Sequence, residues 1–433
     1  MNQTLLRGRI LTYVREPVGP EDTDAFIHIE DGALVAEGGR IAAVGAFTHI
    51  APAWPKAKTI DHRPHLLMPG FIDTHLHMPQ TQVIASWGKD LLYWLNTYTF
   101  PEEARFADHA HAADIAGRLL DTLLRLGTTT AVAYCSGHRT SAEALFAAAA
   151  ARNQFIVAGK VMMNRNAPST VLDTAQSGYD ESEALIAKWH GRGRAQYAIT
   201  PRFAITSTPA QLEAAGALAR NHSDCYVQTH LSENADEIAL TAELYPKARD
   251  YFDVYQHYGL AGPKSLFGHC LHMSGRERAA MGETGSVAVF CPTSNLFLGS
   301  GLFDAGAFSA DGVRQAIATD IGGGTSYSMQ RTHDEGFEVL QLHGQQMHLL
   351  RAFCWIRRGN AEALSASDRS GALDPGNDTD TIVLNARATP EMALRMARVD
   401  ALADELFVLQ TLGDERAIAQ TYVAGRPMLP VHN

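Results

Sequence analysis

Two histidines lie two residues apart in the segment FIDTHLH, at residues 71–77. The segment opens with apolar residues and is typical of a buried strand, and side chains two apart in a strand point to the same side. His75 and His77 can therefore bind one metal ion together. Alone the pair is weak evidence, because many such histidines lie in a core or on a surface.

Three further polar residues stand at the C-terminal ends of apolar runs. His230 lies in YVQTHLSE, His269 in SLFGHC and Asp320 in AIATDIGG. Burying charge is costly unless it is paired or bound to a metal, so this shared position favours a common site. Imidazole nitrogens with one carboxylate suit Zn²⁺ and leave an open position for water, while Fe²⁺ and Mn²⁺ remain alternatives. We predict one zinc ion.

Glu233 has two interpretations. It follows His230 by three residues, close enough to stand beside a metal-activated water and move its proton. Alternatively it is an acidic residue at a helix start, since Ser232, Asn234 and Asp236 are typical of such a start. Spacing alone does not decide between the two.

Arg202, Phe203 and Gln80 are candidates for reading a substrate. Arg202 and Phe203 end the run YAITPRF; an arginine offers only donors, which suits a carbonyl oxygen or an anion, and an aromatic neighbour suits a flat ring. A structural arginine that pairs with a loop carbonyl is the alternative. Gln80 carries a donor and an acceptor and could read a heterocycle edge, although a loop glutamine is more often solvated.

Two other features bear on the site. The aromatic segment WGKDLLYWLNTYTF at 87–100 could fold over the site and exclude water, or it could be ordinary packing or a subunit contact. Lys160 ends the third predicted strand rather than the fourth. The bridging lysine of a two-metal barrel is therefore lacking, which favours one metal.

Eight apolar runs must position these residues, and helical segments separate them. The runs are LMPGFIDTH (67–75), TTTAVAY (128–134), FIVAGKVM (155–162), YAITPRF (197–203), YVQTHLS (226–232), SLFGHC (265–270), VAVFCP (287–292) and RQAIATD (314–320). Helices are predicted before Gly127 and over 141–152, 179–190, 209–222, 234–244 and 335–352. The alternation predicts an α/β fold, a (β/α)₈ TIM barrel whose rim gathers the polar residues. A doubly wound open sheet would give a similar local pattern.

The two ends of the chain have a different style. Short alternating runs in FIHIEDGALVAEGGRIAAVG are interrupted by Asp-Gly and Gly-Gly, which are typical of hairpin turns, and the tail contains the strand-like TDTIVLNA and QTYVAGRPML. We predict a small composite β domain from residues 1–66 plus 376–433, with the catalytic barrel spanning 67–375.

Composition narrows the class of protein. The 433 residues are 46% hydrophobic and 19% charged, which excludes wholesale disorder. The formal charge of −11 argues against nucleic acid or anionic membranes as partners. No apolar run approaches the roughly 20 residues of a membrane span, and the N-terminus does not read as a secretory signal. Five cysteines without a CxxC pair fit reduced thiols, so a cytoplasmic location is expected.

In order and spacing, PGFIDTHLH, HLSE, GHC and TDIGGG resemble the amidohydrolase superfamily. Longer segments narrow the resemblance to the guanine deaminases: HMPQTQVIASWGKDLLYWLNTYTFPEE, AGKVMMNRNAP, YAITPRFA, QTHLSENADEI, FCPTSNLFLGSGLF and TDIGGGTS. The resemblance covers almost the whole barrel and is weaker in the terminal domain. It departs after residue 350, where AFCWIRRGNAEAL replaces a small, Gly-rich segment.

The resemblance implies a role for each motif residue. The metal ligands would be His75, His77, His230 and Asp320; the catalytic residues Glu233, His269 and Asp320; and the residues around the substrate His77, Gln80, Arg202, Phe203, His230, Glu233 and Asp320. His269 would hydrogen-bond the metal water, and Glu233 would move protons. A zinc-activated water would convert guanine to xanthine and ammonia, in a homodimer.

Two rivals remain at this stage. A sister hydrolase acting on another amino-heterocycle or a cyclic amide would keep the metal residues and differ at Gln80, Arg202 and Phe203. A non-catalytic binding protein on a retired barrel would be expected to have lost a ligand or Glu233, and none is missing.

Overall fold

Two sheets organise the chain in the computed structural model, which describes residues 3–88 and 90–429. In chain order the strands are β1 (Gln3–Tyr13), β2 (Phe26–Glu37), β3 (Arg40–Ala46), β4 (Lys58–Pro69), β5 (Phe71–His77), β6 (Thr128–Tyr134), β7 (Phe155–Gly159), β8 (Val161–Met162), β9 (Ala195–Pro201), β10 (Tyr226–Leu231), β11 (Ser265–His269), β12 (Val287–Phe290), β13 (Arg314–Ile317), β14 (Thr381–Leu384), β15 (Ile418–Val423) and β16 (Arg426–Pro427). The first four and the last three strands form one sheet, and the strands between them form the other.

Helices fill most of the connections between strands. They are α1 (Phe47–Ala53), α2 (Leu91–Trp94), α3 (Phe100–Ala104), α4 (His109–Arg125), α5 (Arg139–Arg152), α6 (Ala175–Trp189), α7 (Pro209–Asn221), α8 (Ala235–Leu244), α9 (Tyr251–His257), α10 (Gly275–Thr284), α11 (Pro292–Phe297), α12 (Ala305–Ala310), α13 (Met329–Leu342), α14 (Leu349–Cys354), α15 (Asn360–Ala363), α16 (Pro390–Met396) and α17 (Leu402–Leu412). Short 3₁₀ turns cover Thr23–Ala25, Met78–Gln82, Arg105–Ala107, Ala204–Thr206 and Glu415–Ala417, and π turns cover Leu95–Thr99 and Trp355–Gly359.

The central sheet is a barrel. Its eight main strands follow one another in the order β5, β6, β7, β9, β10, β11, β12 and β13, and neighbouring strands are parallel. The chain after β13 returns to β5, where the backbone N–H of Asp320 donates to the carbonyl oxygen of His75 at 2.9 Å. This contact joins the last strand to the first, so the TIM barrel is confirmed and the open doubly wound sheet is wrong.

The terminal sheet has the predicted composite origin. β4 lies beside β1 in parallel and beside β14 in antiparallel pairing, so a strand from the N-terminal part directly contacts one from the C-terminal part. Hydrophobic residues of both parts share one buried cluster, which explains why neither part would be complete alone. Residues 1–2 and 430–433 of the predicted domain lie outside the described residues.

The covering helices follow their apolar spacing. In α4 the residues predicted to share one face, among them Ile115, Leu119 and Leu123, are buried. The Asp108 side chain accepts from the backbone N–H of His111 and caps the helix start. After the helix, the chain turns at Gly127 with φ +81°, as the predicted stop requires.

Three predicted elements differ in the structure. The run 67–75 is divided between β4 and β5, with Gly70 at the junction, where a Cβ would lie 2.1 Å from Thr129 Oγ1. The single helix over 335–352 is wrong: α13 ends before Gly344, which has φ +67°. Asp31-Gly32 is not a turn but lies inside β2; the hairpin turns at Gly38 and Gly39, which have φ +60° and +86°.

The N-terminal part of the terminal domain joins the barrel at Gly70, because β4 ends at Pro69 and the first barrel strand begins at Phe71. The division at residues 66 and 376 stays a prediction. Among the described residues, we find no helix with the length and apolar character needed to cross a membrane.

Candidate active site

Strand ends bring the predicted polar residues together. His75 and His77 lie at the end of β5, His230 lies near the end of β10, His269 ends β11, and Asp320 follows β13. All five are buried. His269 and Asp320 adopt left-handed backbone conformations, with φ +73° and +50°, so the chain turns sharply where it leaves the strands.

Three histidines and one carboxylate converge within hydrogen-bonding range. The Nε2 atoms of His77 and His230 are 3.1 Å apart, and Asp320 Oδ1 lies 3.2 Å from His75 Nε2 and 3.4 Å from His77 Nε2. Buried His75 Nε2 has no well-formed hydrogen bond among the described residues. Gly268 makes this packing possible, because a Cβ there would lie 2.7 Å from the His75 ring. The arrangement offers converging ligand atoms with unused lone pairs.

The protonation of this cluster suits a cation. Burial, followed by the neighbouring histidines, lowers the pKa of His77 and of His230 well below the usual value, so both rings are neutral. His230 Nδ1 lies 2.6 Å from the carbonyl oxygen of Arg202, which places its proton on Nδ1 and leaves Nε2 free. Burial opposes ionisation of Asp320, but His75, the charge of His269 and the Ser294 hydroxyl together outweigh it, and the pKa of the carboxyl falls.

Cys291 lies beside this cluster, but its thiol contacts a backbone carbonyl. Its sulfur lies within reach of His75, His269 and Asp320. Burial raises the pKa of the thiol well above its usual value, and the thiol instead lies 3.6 Å from the carbonyl oxygen of Val289. Because the thiol already contacts a backbone carbonyl, the converging imidazole nitrogens and the carboxylate are the candidate ligands.

Glu233 faces the cavity beside His269. Its Oε2 lies 3.3 Å from His269 Nε2, and its Oε1 accepts from the hydroxyl of Ser300 at 3.2 Å. The cap of α8 is made by other residues: Glu237 supplies the capping carboxylate and accepts from the backbone N–H of Glu233 at 3.0 Å. Burial, reinforced by the charge of Asp320, raises the pKa of Glu233 well above its usual value. Such a carboxyl can hold a proton near neutral pH.

The partner of Arg202 is a carboxylate. Its Nη1 donates to both oxygens of Glu103, at 2.6 and 2.8 Å, and both side chains are almost fully buried. The predicted alternative of a loop carbonyl is therefore wrong for this nitrogen. Arg202 also borders the cavity, and its guanidinium carbon lies 5.5 Å from the ring centre of Phe100 and 5.8 Å from that of Phe203.

Gln80 is buried rather than solvated, and its amide orientation is determined twice. Its Oε1 accepts from the backbone N–H of Gly322 at 3.1 Å, while its Nε2 lies 3.5 Å from Glu103 Oε1. The reverse orientation would set N–H against N–H and oxygen against carboxylate. Gln80 borders the cavity in this orientation, with a second N–H on Nε2 that Glu103 does not use and one lone pair of Oε1 taken by Gly322.

A small cavity joins these two groups of residues. It has a volume of about 20 Å³, room for about one water molecule. It is lined by His77, Gln80, Leu91, Trp94, Leu95, Arg202, Phe203, His230, Glu233, His269, Leu298, Asp320 and Gly323. Leu91, Trp94 and Leu95 come from the aromatic segment 87–100, whose residue 89 is outside the described residues. The segment therefore covers the cavity, and packing and covering are both part of its role.

Lys160 is not in this cavity. Its ammonium lies 2.6 Å from Asp173 Oδ2, away from the histidine cluster. This placement agrees with the prediction that no lysine bridges two metal ions.

Sequence reasoning missed several residues of the site. Glu103 holds Arg202, Asn295 Nδ2 lies 2.8 Å from His269 Nδ1, and Ser300 holds Glu233. These residues belong to FPEE and TSNLFLGSG, where polar residues interrupt apolar stretches. That interruption is the available signal, but it does not tell which strand end a connecting segment will reach.

The comparisons agree with this geometry. A model of the amidohydrolase family matches residues 66–428. A guanine deaminase of Escherichia coli strain K12 is 43% identical over 423 residues, covering 97% of this chain and 96% of the relative. A solved E. coli guanine deaminase structure has a TM-score of 0.96 at 43% identity, covering 98% of this chain and 99% of that one. A C. acetobutylicum guanine deaminase solved with guanine in its active site has a TM-score of 0.89 at 28% identity, covering 99% and 100%.

Proposed function

The chain belongs to the amidohydrolase family, and we infer that its reaction is the hydrolytic deamination of guanine to xanthine and ammonia. One observation of the site carries the substrate assignment: Arg202 and Gln80 both present donors to the cavity that holds the histidine cluster. Guanine offers two neighbouring acceptors, O6 and N7, along one edge. The direct test is incubation of purified protein with guanine, followed by measurement of xanthine and ammonia.

His75, His77, His230 and Asp320 are the residues that we propose to hold one Zn²⁺. The orphaned Nε2 of His75 and the closely spaced Nε2 atoms of His77 and His230 support this assignment. Zinc, when bound, would lower the pKa of a water toward neutrality. Fe²⁺ and Mn²⁺ are the alternatives that elemental analysis would separate.

The residues around the cavity would then have two functions, orientation of the substrate and proton transfer. Arg202 and Gln80 orient the ring by donating to its acceptor edge, and Phe203 flanks it. Asp320, with His269 beside it, would take a proton from the attacking water, and Glu233 would deliver a proton to the ring nitrogen next to the amino-bearing carbon. Proton transfer to the amino group lets ammonia leave when the tetrahedral carbon collapses, giving xanthine.

Arg202 should control the choice between guanine and adenine. Adenine carries an amino donor where guanine carries O6, and a donor facing a donor loses about 1 to 3 kcal/mol, more for a charged group. Polar sites of this kind discriminate strongly, and adenine also lacks an amino group on the carbon that reacts in guanine, so it should be a negligible substrate and a weak competitive inhibitor. We expect Arg202→Met to raise KM for guanine and lower kcat without changing metal content, as steady-state kinetics and elemental analysis will measure.

Arg357→Met is the matched control for that variant. Arg357 is equally buried, but its Nε donates to the carbonyl oxygen of Pro69, outside the cavity. We expect this variant to lose stability while keeping its KM for guanine. An unaffected Arg202→Met variant, or similar kcat/KM for guanine and adenine in the native protein, would remove Arg202 from substrate recognition. Assays with a panel of other amino-heterocycles and cyclic amides distinguish a guanine deaminase from a related hydrolase that prefers another substrate.

We also propose a cytoplasmic homodimer that binds neither nucleic acid nor membranes. The support for the location is that all five cysteines are free and buried, in keeping with a reducing compartment. The net charge of −11 supports the absence of polyanionic partners. Dimerisation rests on the family resemblance, and light scattering on the purified protein tests it.

A further inference from the structure

One buried carboxylate links the two donors that read the substrate. Glu103 Oε1 lies 2.6 Å from Arg202 Nη1 and 3.5 Å from Gln80 Nε2. Arg202 follows β9 and Gln80 follows β5, so Glu103 joins residues from two separate barrel strands. Glu103 itself is fully buried and does not line the cavity. Its contacts with the residues that line the cavity are those to Arg202 and Gln80, so we expect it to act through these two side chains.

We propose that Glu103 is a positioning residue that makes Arg202 and Gln80 a paired donor edge for guanine O6 and N7. This inference rests on the proposed function and adds the means by which the site chooses its purine edge. Two donors held on one carboxylate oxygen must be close neighbours. They match two neighbouring acceptors, and O6 and N7 are the neighbouring acceptors of guanine.

Charge explains why a carboxylate is needed. Arg202 is almost fully buried, and a buried guanidinium without a counter-charge would be costly. Glu103 neutralises it through Nη1, which leaves the other donors of Arg202 for the cavity that it lines. The same carboxylate attracts one N–H of Gln80, while Gly322 occupies the amide oxygen. Without the carboxylate, the orientation of Gln80 would lose one of its two determinants.

Glu103 lies next to the aromatic segment 87–100, which covers the cavity. It lies in α3, which starts with Phe100, the last residue of that segment. Phe100 packs under the Arg202 guanidinium, at 5.5 Å from ring centre to guanidinium carbon. The aromatic segment is therefore connected to Arg202 through the ion pair with Glu103. The position of α3 determines where Arg202 and Gln80 hold their donors.

Native protein provides the first arm of the test. Guanine should be deaminated, whereas 7-deazaguanine, which lacks the N7 acceptor, should have a kcat/KM lower by about 10- to 100-fold, the effect of one unpaired N–H. Deamination of guanine with no preference over 7-deazaguanine would overturn the paired-edge proposal while leaving the proposed function intact. Failure to deaminate guanine would instead contradict the function itself.

Glu103→Gln provides the second arm. We expect KM for guanine to rise by about 10- to 100-fold and the preference for guanine over 7-deazaguanine to fall toward one, because Gln80 is no longer held. Glu103→Asp keeps the charge on a shorter side chain and should give an intermediate preference. Metal content should equal that of the native protein in both variants.

Glu102→Gln is the matched control. Glu102 is the neighbouring residue of α3, but it pairs with Arg105 at 2.7 Å and His111 at 3.3 Å. This variant should keep the native preference. A merely structural Glu103 would lower activity on both substrates equally, so an unchanged preference in Glu103→Gln or, should that variant not fold, in Glu103→Asp would overturn the proposal.

Discussion

Guanine turnover should fall by about 10²- to 10⁴-fold when Glu233 is changed to Gln, the range for loss of a positioned acid or base. The carboxyl is buried beside His269, and burial raises its pKa well above the usual value, so it can deliver a proton to the ring. Glutamine has a similar shape but cannot exchange that proton. KM and metal content should change little, because Glu233 is not among the proposed ligands.

The control for this variant is Glu237→Gln. Glu237 is equally buried nearby, but it caps α8 and accepts from the hydroxyl of Tyr251 at 2.6 Å. Its loss should lower the midpoint of thermal unfolding and lower kcat far less than the loss of Glu233, although it contacts the backbone of that residue. Normal turnover in Glu233→Gln, or loss of its metal, would assign Glu233 a structural or ligand role instead. Single-turnover kinetics with xanthine detection measures the step directly.

The strand ends of the site were predictable because local rules determine them. Apolar runs ending in His230, His269 or Asp320 must end at the same rim once the fold is a parallel barrel. The pair His75 and His77 follows from the two-residue repeat of a strand. These residues needed only their own segment and the barrel topology to be placed.

The recognition half of the site depends on long-range partners. The orientation of the Gln80 amide is set by Gly322, 242 residues further along the chain, and by Glu103 on a separate short helix. The sequence leaves the orientation of the Gln80 amide open, and the fold turns its oxygen toward the backbone N–H of Gly322. Periodicity likewise cannot separate Glu102 from Glu103, although one points to Arg105 and the other to Arg202.

Dependence on distant neighbours also explains why two elements of the fold were predicted wrongly. Asp-Gly is typical of a hairpin turn, yet Gly32 lies within a strand. A glycine is needed there because a neighbouring strand crowds the position: a Cβ would lie 2.6 Å from Ile10. The run 335–352 has helical spacing throughout, but Gly344 ends the first helix in a left-handed conformation. In both cases one glycine serves a purpose that only its surroundings reveal.

Removing the metal should abolish activity altogether. Native protein should contain about one zinc per chain, and chelation should eliminate xanthine production until zinc is added back. Metal binding to the folded state should also raise the unfolding midpoint, by an amount equivalent to about 2.7 kcal/mol at a hundredfold excess over Kd. Full activity in thoroughly metal-free protein would contradict the zinc assignment, and two ions per chain would contradict a single site.

A second group of potential ligands makes the site assignment testable by mutation. His190, Asp224 and Cys225 also lie close together, and none of them lines the cavity. His190 Nε2 is already 3.0 Å from Asp224 Oδ2, its Nδ1 accepts from the backbone N–H of Tyr197 at 3.0 Å, and burial raises the pKa of Cys225 to about 12. That group is satisfied without a cation. We therefore expect His77→Ala to lose zinc and activity together, and His190→Ala to keep both; the reverse result would move the metal to the second group.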